Sequence, residues 1–316
     1  LYDGDDTRYI YTGAAGKLLP CFYIYGREVH VGDTLSGIDP NFIASELTHR
    51  IHNNMNLAEN IEGELTLPPS CLYQRDNKET YNVQTALSSY LYFNYFIYEK
   101  TAKEIMDQLH EVALEACACA EKKLSDYYDD FLVRTHLPGK DISWNIQVIT
   151  LEDYIKELKQ KGGDPDSCIK KTHQKFEHLE LRMRCFKVVE ALQKLDPEQC
   201  AKVILFYAPP YLPHNYLREE DARDRQLLRV VKEACEEMAA KTGETFAYQK
   251  FFPYLADGSF LSLHETDEEI ASFTRNFPGW DTIGTIPFKD IRQLNIPSIN
   301  MGVYGKDGHK WTERGY

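Results

Sequence analysis

Five consecutive apolar residues, Val203-Ile-Leu-Phe-Tyr207, restrict what this chain can fold into more than any other stretch. A strand that is apolar at every position must be covered on both faces, so further layers have to lie on either side of its sheet. The sequence beyond it fits that demand. A helical pattern runs from Glu219 to Thr242, then a strand near Phe246–Phe251, a helix near Asp267–Asn276 and a strand at Ser298–Met301. Strand, helix, strand, helix, strand is the order of an α/β layer. The texture changes at Pro197, which predicts a domain boundary at 196.

Ahead of that boundary the pattern is mixed. Tyr9 to Tyr25, broken by Gly13, Gly16 and Pro20, reads as two short strands meeting at a bend. Asp39 and Pro40 suit the cap and first turn of a helix. Phe42, Ile43, Leu47 and Ile51 mark one face of it through Asn53. Cys71–Arg75 and Leu87–Tyr98 read as strands, and the aromatic alternation of the second suits a sheet with one covered face. Thr101 to Asp130 is the longest helical pattern, with Ile105, Leu109, Val112, Ala113, Ala116 and Ala120 three and four apart. A turn at Pro138-Gly139, a strand at Ile146–Ile149, a helix from Leu151 to Gln160 closed by Gly162-Gly163, and one helix over 168–195 complete this part.

Composition removes several function classes. The 316 residues carry a net charge of -13, and phosphate binding needs a basic surface, so a nucleic-acid partner is not expected. No apolar run approaches the roughly 20 residues that cross a bilayer. Eight cysteines at 21, 71, 117, 119, 168, 185, 200 and 235 form no CxxC pair. That usage predicts reduced, mostly buried thiols in a cytoplasmic protein. The start, Leu1-Tyr-Asp-Gly, has neither a signal layout nor an initiator Met, which predicts a processed or truncated piece.

Two segments could carry chemistry. Near the end, Asn300-Met-Gly-Val-Tyr-Gly-Lys-Asp-Gly-His309 is a short apolar strand delivering a Gly-rich loop that presents one His. Loops at strand ends are where open α/β sheets place ligands, and a neutral imidazole there can bind zinc. Spacing alone does not separate that role from an ordinary surface histidine. The second is Gly26-Arg-Glu-Val-His30-Val-Gly32 at a strand-to-loop junction. Its imidazole is either a hydrogen-bond donor to an oxyanion or a structural residue capping the loop. Lys306, Asp307 and Asp257 are weaker candidates in polar loops. Pro209-Pro210-Tyr-Leu-Pro213-His214 reads as a rigid loop, either beside an active site or merely structural. Glu46, His49 and His52 share one helix face without a facing ligand, and Cys117 and Cys119 point to different faces.

These two histidine motifs resemble those of the zinc-dependent aminoacylase, carboxypeptidase and acetylornithine-deacetylase group. Gly26–Gly32 looks like the G-x-x-x-H-x-G element that opens the lid, or dimerisation, domain, and Gly305–Glu313 like the C-terminal metal-ligand loop. The stretches GKLLPCFYIYGREVHVG, APPYLPH and YGKDGHKWTER are similar to a member associated with arginine utilisation. The resemblance implies a zinc-exopeptidase-like α/β catalytic layer, incomplete here, with an inserted α+β lid. Its boundaries are a catalytic stub at 1–17, a lid with helical extension at 18–195, and the resumed catalytic layer at 196–316. It implies His309 as a metal ligand and His30 as an oxyanion donor acting in the partner subunit. It further implies two zinc ions per intact site, a homodimer paired through the lid, and an N-acyl amino acid or small peptide as substrate.

The group's remaining ligands and its Glu base have no counterpart here: no HxD motif followed by a DxK and an EE pair occurs. Its lid Asn and Arg contacts are likewise unassigned, with Asn82 and Asn94 as candidates. Two other readings compete, a non-catalytic dimerisation module built on the aromatic strands and a degenerate enzyme that has lost its metal. The hydrolase reading predicts that the isolated chain cleaves no amide substrate when zinc is added. Robust turnover in that assay contradicts it.

Overall fold

The computed structural model describes residues 9–252, 257–284, 286–301, 305–307 and 310–315. Four short strands open it, β1 (Tyr9–Tyr11), β2 (Gly13–Ala14), β3 (Gly16–Leu18) and β4 (Pro20–Tyr25). Then come α1 (Pro40–Ile51), a small hairpin of β5 (Asn60–Ile61) and β6 (Glu64–Leu65), strands β7 (Ser70–Asp76) and β8 (Ser88–Ile97), and α2 (Ala102–Thr135). β9 (Gln147–Thr150), α3 (Leu151–Gln160), α4 (Pro165–Lys175) and α5 (Leu181–Leu195) lead to β10 (Lys202–Tyr207). After it lie β11 (Asn215–Tyr216), α6 (Ala222–Thr242), β12 (Ala247–Gln249), α7 (Asp267–Arg275), α8 (Trp280–Ile283), α9 (Phe288–Leu294) and a hairpin of β13 (Gly305–Lys306) and β14 (Arg314–Gly315).

The chain is a mixed α/β structure organised by one six-stranded sheet, in the order β3-β8-β4-β10-β9, with β7 also paired to β8. β4 runs antiparallel between β8 and β10, and β9 adds parallel to β10. The antiparallel strands therefore stand in the order β10-β4-β8-β7, a split βαβ arrangement. Every residue of β10 is buried, as the apolar run Val203–Tyr207 within it requires. On one face Phe22 meets Phe93 edge-on at 5.9 Å and Tyr207 donates to the Ala102 carbonyl at the start of α2. On the other, Tyr23 stacks on Tyr90, and Phe186 of α5 packs on Tyr90 and Phe206 at 5.0 and 5.1 Å. The aromatic strand β8 is thus covered by α5 as well, not on one face only.

Local signals explain most element ends. Asp39 accepts the Asn41 N–H at 2.9 Å ahead of Pro40, and Thr101 with Glu104 closes a capping box at α2. The buried Glu59 carboxylate takes the N–H groups of Tyr98, Glu99 and Lys100 at 2.8, 2.8 and 3.0 Å, fastening the β8–α2 turn. Asp221 caps α6, and Gly243 ends it with φ 75°.

Three expectations need correction. Residues 168–195 are not one helix: α4 and α5 are separated at 176–180, where Glu180 caps a new start by accepting the Arg182 N–H, and the two halves pack on each other. Ser298–Met301 forms no strand, only a two-bond bridge between Asn300 and Tyr11. The boundary drawn at 196 cuts through one sheet, because β10 hydrogen-bonds along its whole length to β4. The apolar run belongs with the preceding lobe, and β12 pairs instead with β1. The lobe closes where Lys17 and Leu212 exchange backbone hydrogen bonds at 2.8 and 3.0 Å. Outside that closure, β2 pairs with β11 and Ala14 with Phe252. Among the described residues no helix is long and apolar enough to cross a membrane.

Lys202, at the head of the buried strand, is the exception to its apolar pattern. Its ammonium forms an ion pair with Asp196, both side chains at 0% exposure, and lies 4.9 Å from the Tyr154 ring centroid. Tyr154 and Lys161 add hydrogen bonds to the same carboxylate at 3.1 and 3.2 Å. Burial alone would raise the Asp196 pKa, but the hydrogen bonds from Lys202, the Glu198 N–H and Lys161 outweigh it and hold it at about 2, below its ordinary 3.8. A depressed carboxyl stabilises the fold above its unfolded pKa, and that contribution is lost as pH falls through the folded value. Asp196→Asn should therefore lower the unfolding free energy near neutral pH by about 3 kcal/mol, since it leaves a buried ammonium unpaired. In urea titrations the gap to the unsubstituted protein should close between about pH 4 and pH 2.

Candidate functional site

β4 ends at Tyr25, and the chain must turn sharply past the segment that enters α1. Arg27 and Ile38 exchange backbone hydrogen bonds there at 2.9 and 3.1 Å. The crossing is so close that a Cβ on Gly26 would stand 2.2 Å from the Ile38 carbonyl oxygen and 2.8 Å from Pro40 Cδ. Glycine is required at 26 by this approach, not by an unusual backbone angle.

Four residues on, His30 caps a 3-10 turn over Val31–Ser36. Its Nδ1 accepts the Gly32 N–H at 3.0 Å. That bond assigns the neutral ring to the tautomer with the proton on Nε2, because a nitrogen that accepts cannot also carry the hydrogen. The exposed ring therefore presents a donor. Gly32 sits close beneath it, where a Cβ would lie 3.1 Å from Nδ1. The structure shows the loop-cap reading of His30, and the capping nitrogen leaves the other one as a donor.

His309 lies outside the described residues, as do the side chains of Lys306 and Asp257. Asp307 adopts φ 57° and accepts the Thr312 hydroxyl at 2.8 Å, which makes it part of the β13–β14 turn. Glu46 is engaged by Arg50 and Lys123, whose hydrogen bonds hold its pKa at about 2. His52 accepts the Cys71 N–H at 3.0 Å through Nδ1, and His49 is exposed. This helix face is structural. Asn82 stands beside the His30 loop, its carbonyl bound by the Lys78 ammonium, whereas Asn94 pairs with Ser70 in the sheet. All eight cysteines are free.

A second polar cluster went unrecognised in the sequence. Past the lobe closure, Tyr211 donates to Glu265 Oε1 at 2.7 Å, and His214 Nδ1 lies 3.5 Å from the same oxygen. His214 Nδ1 and Glu265 Oε2 are buried with no hydrogen-bond partner among the described residues. Burial, then the Tyr211–Glu265 contact, pushes the Tyr211 hydroxyl well up, and burial followed by Arg218 and His214 lowers His264. His214 was visible as the end of the PPYLPH loop. Glu265 had no motif around it, and only the fold brings it near.

Zinc takes three or four protein ligands. Among the described residues no group of three His, Cys, Asp or Glu side chains converges for a metal, and the His214–Glu265 pair supplies two donors at most. The described residues do not fit a zinc site. A cavity of about 560 Å³ between α3, α4 and α7–α8 has an apolar floor of Ile155, Ile169, Phe277 and Trp280. Its rim charges are largely paired, Lys159 with Asp166 and Arg275 with Glu152.

No protein-family model matches the chain. It is 73% identical over all 316 residues to Protein RocB of Bacillus subtilis (strain 168), and 31% identical over 318 residues to the uncharacterized protein YqjN of the same organism. In each case it spans 56% of the relative, so it is about half the length of the curated proteins it matches. Among solved structures, aminopeptidase PepT from Bacillus cereus aligns over 99% of this chain and 50% of its own at a TM-score of 0.42 and 10% identity. A tripeptidase from Staphylococcus aureus aligns over the same shares at 0.40 and 12%. At those scores no residue role is carried over.

The glycine geometry gives a direct check. Gly26→Ala should cost about 1–3 kcal/mol, since backbone has to move to relieve the overlap. Gly32→Ala should cost less, because its nearest neighbour is a side-chain ring that can shift. Equal losses in thermal unfolding would contradict this account of the turn.

Proposed function

Because the chain is homologous to RocB along its entire length, we propose that it is the lid-bearing part of a metal-dependent amide hydrolase that acts on an N-acyl amino acid or a small peptide. The observation that carries the reading is the His30 ring itself, exposed and with Nδ1 committed to Gly32, so that Nε2–H is left as a fixed donor. A fixed donor at the end of a buried strand suits a group that binds the oxyanion formed when an amide carbonyl is attacked. It costs little reorganisation at the moment charge develops.

His30 stands at the rim of the lobe, with uncovered apolar neighbours: Val31 is 57% exposed and Tyr81, on the adjacent hairpin tip, 90%. A donor so placed suits a site contributed by a second copy of the chain. β7 is paired only with β8 among the described residues and exposes Leu72, so it can extend the sheet into a partner. On this reading His309 is one metal ligand, and the other ligands and the general base belong to the part of a RocB-length protein that lies outside this chain. A cytoplasmic setting accords with eight free thiols.

Complementation in the full-length protein tests the reading. His30→Ala should lower kcat by about 100-fold or more, the effect of losing one oxyanion donor, and His309→Ala should abolish activity. Co-refolding the two variants in equal amounts should restore about a quarter of the unsubstituted activity, since half the dimers are mixed and each mixed dimer has one intact site. Recovery at background level would contradict action across subunits. Full activity of His30→Ala would contradict the donor role.

A further inference from the structure

None of the residues Val31–Ser36, the turn that His30 caps, is buried. Apolar packing therefore does not fix where the imidazole points, and hydrogen bonds must do so. They arrive from two sides. The tip of the β7–β8 hairpin gives one set: Val31 N–H donates to the Val83 carbonyl at 2.9 Å, Thr85 N–H to the Val29 carbonyl at 2.9 Å, and Val29 N–H to Thr85 Oγ1 at 3.1 Å.

The other set comes from the segment 136–146 that joins α2 to β9. Arg27 Nη2 donates to the Ser143 carbonyl at 2.8 Å, the Trp144 indole Nε1–H to the Leu35 carbonyl at 3.2 Å, and Lys140 Nζ lies 3.5 Å from Asp33 Oδ1. That segment is fastened in turn to the outer half of α2. Lys140 N–H donates to the Tyr128 hydroxyl at 2.6 Å, Ile146 N–H to Glu121 Oε1 at 2.6 Å, and the Trp144 and Tyr128 rings meet edge-on at 5.5 Å.

The outer half of α2 pairs Lys123 with Glu46 of α1 and otherwise adds no fully buried residue to the core. Its last buried residue is Ala120, and Tyr127, Phe131 and Val133 beyond it are exposed. A stretch of helix with no fully buried residue contributes little to the core. What it holds is the strap that grips the His30 turn.

We infer that the outer half of α2 and the 136–146 strap form a brace that positions His30, with Trp144 as its principal positioning residue. This rests on the reading of His30 as the oxyanion donor. The chemistry requires such a brace, because a displacement of about 1 Å in a catalytic group can cost about 100-fold in rate. Trp144 touches no reacting atom. It acts through the Leu35 carbonyl on the turn, and so on the ring that caps it.

The experiment uses full-length protein with Trp144→Phe, His30→Ala and the double variant. Phenylalanine keeps a ring against Tyr128 and removes the indole N–H. Hydrogen exchange at residues 30–36 is measured alongside kcat and KM on a panel of N-acetyl amino acids and dipeptides. Trp144→Phe should speed exchange in 30–36 by about fivefold to tenfold, the worth of one neutral hydrogen bond, and leave β4, β8 and β10 unchanged. It should lower kcat by a similar factor with KM held, and should add nothing in the His30→Ala background. A purely structural role predicts instead losses that multiply in the double variant, and that result overturns the inference, as does unchanged exchange in 30–36. If Trp144→Phe melts the whole chain, Arg27→Gln removes the second strap bond from an exposed position and is read the same way. If His30→Ala keeps full kcat, the donor reading fails, whatever the exchange data show. If His30→Ala loses kcat and Trp144→Phe does not, only the brace fails.

Discussion

The ladder between β4 and β10 is the interaction on which the rest of the structure depends. Six residues from near the start, Pro20–Tyr25, pair with six from beyond α5, Lys202–Tyr207, and so close a lobe whose two ends are far apart in the chain. Register is strict here because side chains alternate between two differently covered faces. Phe22 must meet Phe93 on one face, and Tyr23 must meet Tyr90 on the other. A slip of one residue would exchange those environments. It would also carry Lys202 away from Asp196, the partner that makes an ammonium tolerable at that depth.

From that rigid strand the site is reached in short steps. β4 ends in the sheet, Gly26 lets the chain cross beneath Ile38, and His30 emerges four residues later on a turn without a core of its own. The fold thus joins a firmly anchored strand to a turn whose precision comes from hydrogen bonds. Such a division is common where function lies on loops carried by a rigid scaffold. The cap uses one ring nitrogen of His30 and leaves the other free of that bond.

Much of this was legible from the residues. The Asp39-Pro40 start acts through neighbours in sequence, and the structure has it where the pattern puts it, as it has the start of the helical pattern at Thr101 and the end of the one at Thr242. The all-apolar run is a strand covered on both faces, as its pattern predicts, but its neighbour is β4 and not a strand of the segment that follows it. Periodicity reports how a strand is covered, not which strand it pairs with. The break at 176–180 leaves no mark in the sequence because amphipathic spacing continues across it, and Ser298–Met301 resembles a strand because a short apolar run looks alike in a strand and in a single bridge. At the site, the G-x-x-x-H-x-G spacing singled out His30, since both glycines answer to local contacts. The brace and the Tyr211–His214–Glu265 cluster were illegible for the opposite reason. Trp144 and Leu35, like Tyr211 and Glu265, meet only through tertiary structure, and no short pattern joins them.

The central claim is that His30 is a neutral donor fixed through its own loop. Nitrogen NMR of histidine-labelled protein, with His30 assigned by His30→Gln, reads the tautomer of the neutral ring directly. The account predicts a single tautomer with the proton on Nε2 and bare Nδ1. A ring protonated on Nδ1, or an even mixture of the two forms, would contradict it.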